Sequence, residues 1–273
     1  MFSDYRKLPS PPDNYEQLKK YNLWAALAHL TSFVVLLGFT IAEYKGSFKA
    51  QLTTDFLKHS SKGVRPESGP YRATLETVGV LQLVWVQLSF PLITSGFHFY
   101  IWADAENKYR QIIKNRVNPY RWLEYGITAT IMTNTILQLS GVTNVFLLMN
   151  SGILSILLQL SGYLIERLDT TAPPNVGIPM GWAIFVAQWT TIMWYFFVAT
   201  TSRSVPWFVY TVIITMFVMF SLFGLVQMLY IFGNKTEEDY KRMEKRFIVL
   251  SFVSKLSLDW IIMIGLLTNG RAD

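Results

Sequence analysis

Five ionisable side chains stand inside otherwise uncharged apolar stretches of this chain: His29, His98, Glu124, Lys255 and Asp259, with Glu76 and Arg121 near the ends of such stretches. Ionisable groups are costly away from water, and those that persist there are functional candidates by default. Lys255 asks most of its surroundings. A buried ammonium needs a counter-charge, or else the amine must be neutral or covalently modified. Asp259 follows at i+4, on the same face of a helix and about 6 Å further along it, and Glu124 is a second candidate anion from elsewhere in the chain. Two chemistries are open: a structural Lys255–Asp259 ion pair, or a Schiff base between the amine and a carbonyl ligand, which keeps its proton in a low-dielectric pocket only beside an anion. His29 and His98, taken singly, are as readily hydrogen-bonded packing residues as functional ones. Glu124 could also pair with Arg121 one turn away. The chain has no cysteine, which excludes disulfides, thiolate metal sites and cysteine nucleophiles. No metal-ligand spacing and no nucleophile with its base stands out, so enzymatic catalysis is not expected.

These residues have to be carried by membrane-spanning helices. Hydrophobic residues make up 51% of the 273 and charged residues only 15%, against roughly 25% charged in soluble domains. The formal charge of +6 does not point to nucleic acid, because the basic residues cluster between long uncharged stretches, as in membrane loops. Apolar runs of about 20 residues fall at 21–43, 74–103, 119–141, 144–165, 177–201, 206–233 and 246–268. The third and fourth are divided only by Ser140-Gly141-Val142-Thr143-Asn144, but an unbroken helix there would be about 70 Å long, more than any bilayer. The runs lack the alternation of barrel strands. The expected class is therefore an all-α membrane protein with seven transmembrane helices. Fifteen of the 24 basic residues lie on the side of the N-terminus and eight on the other, which leaves Lys255 within a span. The positive-inside rule then puts the N-terminus in the cytoplasm and the C-terminus outside. The polar, proline-rich start does not look like a cleaved signal sequence. The expected organisation is a cytoplasmic tail over 1–20, a transmembrane domain over 21–268 with a long extracellular loop at 44–73, and an extracellular tail over 269–273.

With those directions, a rise of about 1.5 Å per residue places His29 about 11 Å, His98 about 7 Å, and Glu124 and Ser251 each about 8 Å in from the cytoplasmic side, with Lys255 about 14 Å in. Four polar groups from four helices thus share one level beside a lysine near mid-bilayer. A ligand on that lysine would need a lined pocket, and the fifth and sixth runs are dense in aromatics, including Trp182, Phe185, Trp189, Phe217, Phe220 and Phe223. Lipid-facing aromatics give the same composition, and Gly162 could admit a ring or simply a neighbouring helix.

Seven helices with a lysine midway along the last resemble a retinal protein, and the cytoplasmic N-terminus marks the heliorhodopsins among them. Arg121-Trp122-Leu123-Glu124-Tyr125 resembles that family's third-helix motif, and Ile248-Val249-Leu250-Ser251-Phe252-Val253-Ser254-Lys255 its seventh-helix motif. Pro206-Trp207-Phe208-Val209-Tyr210 and Leu225-Val226-Gln227 are similar to its sixth helix. The resemblance covers about residues 20 to 268. It implies a rhodopsin-like bundle in which Lys255 binds all-trans retinal as a protonated Schiff base. Glu124 is then the sole primary counterion, Ser251 takes the place of the second carboxylate of pumps, and His29 and His98 join a cytoplasmic polar network. The resemblance further places Tyr125, Ser155, Gly162, Phe217 and Phe220 about the chromophore. It also implies a homodimer through a small sheet formed by 44–73.

Two positions depart from the family pattern: Ser155, where an asparagine is usual, and Asp259, where a small apolar residue is usual. The expected function is light sensing by a multi-pass protein of the cell membrane, without ion pumping and with an unidentified signalling partner. Asp259 leaves open a rival in which it accepts the Schiff-base proton and supports proton transport, and a chromophore-free transporter or receptor is the other alternative.

Overall fold

The computed structural model describes residues 14–43, 49–59, 71–103, 108–168, 177–202 and 204–269. Most of the expected N-terminal tail, all but the first residue of the C-terminal one, and parts of the 44–73 loop lie outside the described residues. The elements run α1 Asn14–Glu43, β1 Lys49–His59, β2 Tyr71–Gln82, α2 Leu83–Ala103, α3 Lys108–Asn115, α4 Pro119–Leu139, α5 Val145–Leu168, α6 Gly177–Ser202, α7 Trp207–Ile231 and α8 Glu237–Asn269. Among the described residues five helices, α1, α5, α6, α7 and α8, are long and apolar enough to cross a membrane, and the chain is an integral membrane protein. Helices α2 and α4 have 21 residues each, about 32 Å. Their apolar character is diluted by Gln87, Thr94, Ser95 and His98 on α2 and by Arg121, Glu124, Thr128 and Thr133 on α4, all of them buried.

Local sequence explains where the helices start and turn. Asn118 caps α4 by accepting from Arg121 N at 3.1 Å, and Pro119, which has no N–H to leave unsatisfied, opens the helix. The expected turn between α4 and α5 is present: Ser140 N bonds Ile136 O at 3.0 Å, and Gly141 takes φ 99°, which a residue with a Cβ resists. Thr236 and Asp239 form a reciprocal cap at the start of α8, with Asp239 N donating to Thr236 Oγ1 and Thr236 N to Asp239 Oδ2, both at 3.1 Å. Helix α8 thus starts nine residues before the expected 246, and α1 seven before the expected 21. Their first turns are polar, with Lys241 bonded to Glu237 at 2.9 Å, and hydropathy marks only the part of a helix that lipid can surround.

The second expected run, 74–103, divides. Its first nine residues complete β2, which pairs antiparallel with β1 in the register Lys49↔Gln82 to His59↔Tyr71, with an irregularity at Leu52/Thr53. Residues Thr74 to Gln82 are rich in valine, threonine and leucine, and a short apolar run does not distinguish strand from helix. The two-stranded ribbon is tied to the α4–α5 turn: Thr53 N donates to Thr143 O at 2.9 Å, and the hydroxyls of Thr53 and Thr143 bond at 2.9 Å. The short amphipathic helix α3 lies in a segment read as a plain loop.

The long helices pack in chain order, α1 on α2, α2 on α4, then α4 to α8 in sequence, and α8 closes on α1. One buried cluster gathers Tyr109, Trp122, Tyr125, Tyr240 and Phe247. A second joins Phe90, Met132, Trp189, Phe208 and Met216. A third, of Leu36, Leu88 and Met263, links α1, α2 and α8.

Candidate functional site

Three helices converge on one carboxylate oxygen. Lys255 of α8 forms an ion pair through Nζ with Glu124 Oε1 of α4. The same oxygen accepts from Thr94 Oγ1 of α2 at 2.8 Å and from Thr128 Oγ1, one turn along α4, at 3.1 Å. Both charged side chains are buried, so each depends on the other and on these hydroxyls for what water would otherwise supply. Glu124 therefore pairs with Lys255 and not with Arg121, and the Lys255–Asp259 pair considered from sequence does not form. The Lys255 ammonium also lies 5.0 Å from the Tyr125 ring centroid, and Tyr125 donates its hydroxyl to Phe247 O at 3.1 Å, which fixes that ring.

On the side toward the start of α8 lie the two histidines. The His29 and His98 rings stack nearly parallel, centroids 6.2 Å apart. His98 Nδ1 shares a hydrogen bond with Asn22 Oδ1 at 2.8 Å, while both nitrogens of His29 and Nε2 of His98 are buried without a hydrogen-bond partner among the described residues. Ser251 is fully buried one turn before Lys255. Of the four groups placed at one level from sequence, His29 and His98 are thus in ring contact.

A second polar cluster follows at the start of α4. Arg121 pairs with both Glu166 of α5 and Glu244 of α8, all three buried. Glu166 also accepts from Trp122 Nε1 at 2.9 Å, Asn118 N at 3.2 Å and Tyr240 OH at 3.3 Å. Asn118 Nδ2 donates to Glu244 Oε2 at 3.1 Å. The clusters are linked, because Asn22 Nδ2 donates to Tyr109 OH and Tyr109 OH to Glu244 Oε2, each at 3.5 Å. Sequence reasoning missed Glu166 and Glu244 because both fall just outside the expected spans. The signal available was Arg121, a buried cation that needed a partner of its own once Glu124 was committed to Lys255.

On the other side of Lys255 an apolar cavity of about 130 Å³ opens between α4, α5, α6, α7 and α8. Lys255 and Tyr125 line it together with Trp122, Trp182, Phe185, Phe220 and Phe223, and with Ser155 and Gly162. Gly162 faces the Trp122 ring so closely that a Cβ would overlap it, and a Cβ on Gly224 would stand 2.9 Å from Trp182. Ser155 accepts from Gln188 Nε2 at 2.7 Å, so its hydroxyl is fixed at the wall. Phe217 is not among the lining residues: it is half-exposed and packs against Trp189 at 5.1 Å. Asp259 lies one turn beyond Lys255, fully buried. Chemically, the arrangement presents one amine, that of Lys255, to a mostly apolar cavity and pairs it with the carboxylate of Glu124.

The heliorhodopsin family model matches residues 18–267. Among solved structures, cyanorhodopsin from the cyanobacterium Tolypothrix sp. NIES-4075 superposes with a TM-score of 0.57 at 13% identity, covering 91% of this chain and 98% of that one. A light-driven proton pump from Leptosphaeria maculans gives a TM-score of 0.57 at 8% identity, covering 97% and 98%. At such identities these two establish the shared fold and nothing finer. No curated protein sequence matches.

Proposed function

The chain belongs to the heliorhodopsin family, and from that premise we propose that it is a light-sensing retinal protein in which Lys255 carries the chromophore and Glu124 is the only counterion. The observation that carries this reading is that Lys255, paired with Glu124, lines the apolar cavity. The residues fit retinal: the cavity is lined by aromatic rings, and at Gly162 and Gly224 the missing side chains give Trp122 and Trp182 their places in its wall. When bound, all-trans retinal supplies light absorption and isomerisation. The chain supplies the rest. Trp122, Trp182, Phe185 and Phe220 hold a flat polyene and exclude water. Glu124, fixed by Thr94 and Thr128, stabilises positive charge on the Lys255 nitrogen. A proton leaving that nitrogen moves toward Glu124, and His29 and His98 are bases that can receive it, since both nitrogens of His29 and Nε2 of His98 have no hydrogen-bond partner among the described residues. Ser251, having no charge, leaves Glu124 alone in its role.

In this reading α2 and α4 complete a set of seven spans, with the N-terminus cytoplasmic and the polar clusters on the cytoplasmic side. The ribbon of β1 and β2, with Leu75, Val78 and Val80 exposed, is the surface through which two copies pair. Signalling then runs from the histidine cluster to an unidentified partner, and no ion crosses. Adding all-trans retinal to purified protein tests the core of this proposal. A visible band that is absent in Lys255→Ala is expected, and no band in the wild-type protein would leave the chromophore-free transporter or receptor.

A further inference from the structure

The geometry points to Asp259 as a stored proton: a neutral carboxylic acid in the resting protein, hydrogen-bonded to Gln87 and occluded on the side of Lys255 away from Glu124. Asp259 is fully buried, and neither of its carboxyl oxygens has a hydrogen-bond partner among the described residues. Gln87 of α2 is buried beside it and donates Nε2 to the backbone carbonyl of Asp259 at 2.7 Å. That bond uses the amide nitrogen and leaves Gln87 Oε1 also without a donor. Among the described residues the Asp259 carboxyl oxygens and Gln87 Oε1 are thus buried acceptors without a donor, a costly state for buried polar groups. One added proton resolves it, because an Asp259 O–H can donate to Gln87 Oε1.

Charge balance gives the same answer. Among the described residues Asp259 forms no salt bridge, and the ammonium of Lys255, one turn away, is already committed to Glu124. Lys255 and Glu124 together sum to zero, whereas an ionised Asp259 would leave one uncompensated negative charge in an apolar interior. Side chains on a helix lean toward its N-terminus, so Lys255 reaches back to Glu124 while the Asp259 carboxyl follows behind it. Further along α8, Met263 packs with Leu36 of α1 and Leu88 of α2, all buried, with Phe33, Leu37 and Trp260 against them. This apolar layer covers the acid on its far side. The proton also gives Asp259 a direction: once the Lys255 nitrogen has given up its own proton toward Glu124, the Asp259 O–H can return one to it and become a carboxylate, whereas with its O–H intact Asp259 cannot accept one.

Infrared spectroscopy of the retinal-free protein tests this independently of the chromophore, so its failure leaves the assignment of Lys255 standing. Wild-type protein is expected to show a protonated-carboxyl C=O stretch that disappears in D259N, and Q87L is expected to keep that band but move it to higher frequency, as the hydrogen bond is lost. D259N exchanges one neutral group for another of the same shape and is expected to melt close to wild type. Absence of the protonated-carboxyl band in the wild-type protein, or its persistence unchanged in D259N, overturns the proposal. If D259N does not fold, the Q87L spectrum decides: an unshifted band removes the Asp259–Gln87 bond.

Discussion

Glu124→Gln perturbs the centre of the site with the least change of shape. A glutamine oxygen can still accept from Thr94 and Thr128, which reach Glu124 at 2.8 and 3.1 Å, so the charge opposite Lys255 is what disappears. A pair of unit charges about 4 Å apart at an effective dielectric constant of about 20 attracts by about 4 kcal/mol. Removing one partner of a buried pair typically costs about 3–5 kcal/mol, so the two routes to the magnitude agree. Thr94→Val is the graded control, since it removes one hydrogen bond to a charged group, worth about 1.5–3 kcal/mol, and leaves the charges in place. Thermal unfolding in detergent should rank wild type, Thr94→Val and Glu124→Gln in that order of decreasing stability. With retinal bound, Glu124→Gln should move the visible band to longer wavelength or replace it with a near-ultraviolet band, because the counterion favours positive charge localised on the nitrogen and so stabilises the ground state. Glu124→Gln protein with both the spectrum and the unfolding midpoint of wild type would refute the pairing as the source of either property.

Gly162→Leu should displace Trp122 from the cavity wall: we expect slowed or lost pigment formation with retinal, and a stability loss of about 1–3 kcal/mol from overpacking, whereas pigment formation at the wild-type rate would show that the wall at Gly162 does not shape the binding site. Arg121→Met strands Glu166 and Glu244 as buried carboxylates and should cost about 3–5 kcal/mol. Adding Glu166→Gln should recover part of that loss, and additive losses in unfolding midpoints would mean that the two residues are not coupled.

The helices were legible because lipid imposes one requirement, about 20 apolar residues in a helical run, and the turn at Gly141 was legible because two spans had to fit where one run appeared. What hydropathy could not mark were helix ends outside the bilayer, as at α1 and α8, and the strand Thr74–Gln82, whose threonines and valines suit a strand or a membrane helix equally. The site was legible in its ionisable members, His29, His98, Glu124 and Lys255, because charge inside an apolar run stands out against its surroundings. Its neutral members were not. Thr94, Thr128 and Asn22 are ordinary inside helices, and only their contacts with Glu124 and His98 make them part of the cluster. Asp259 was conspicuous in sequence, but that it pairs with no cation among the described residues depends on where the Lys255 side chain turns, which spacing along one helix does not determine.

No loop separates β2 from α2: Gln82 ends one and Leu83 begins the other. The ribbon is held near its middle, where Thr53, opposite Thr77, is bound to the α4–α5 turn. About 17 Å of strand run from that pivot to α2 and about 20 Å to Tyr71 at the other end. The ribbon is therefore anchored at its centre with nearly equal lengths of strand on either side, and one of those arms passes without a break into α2, the helix that carries Gln87, Thr94 and His98.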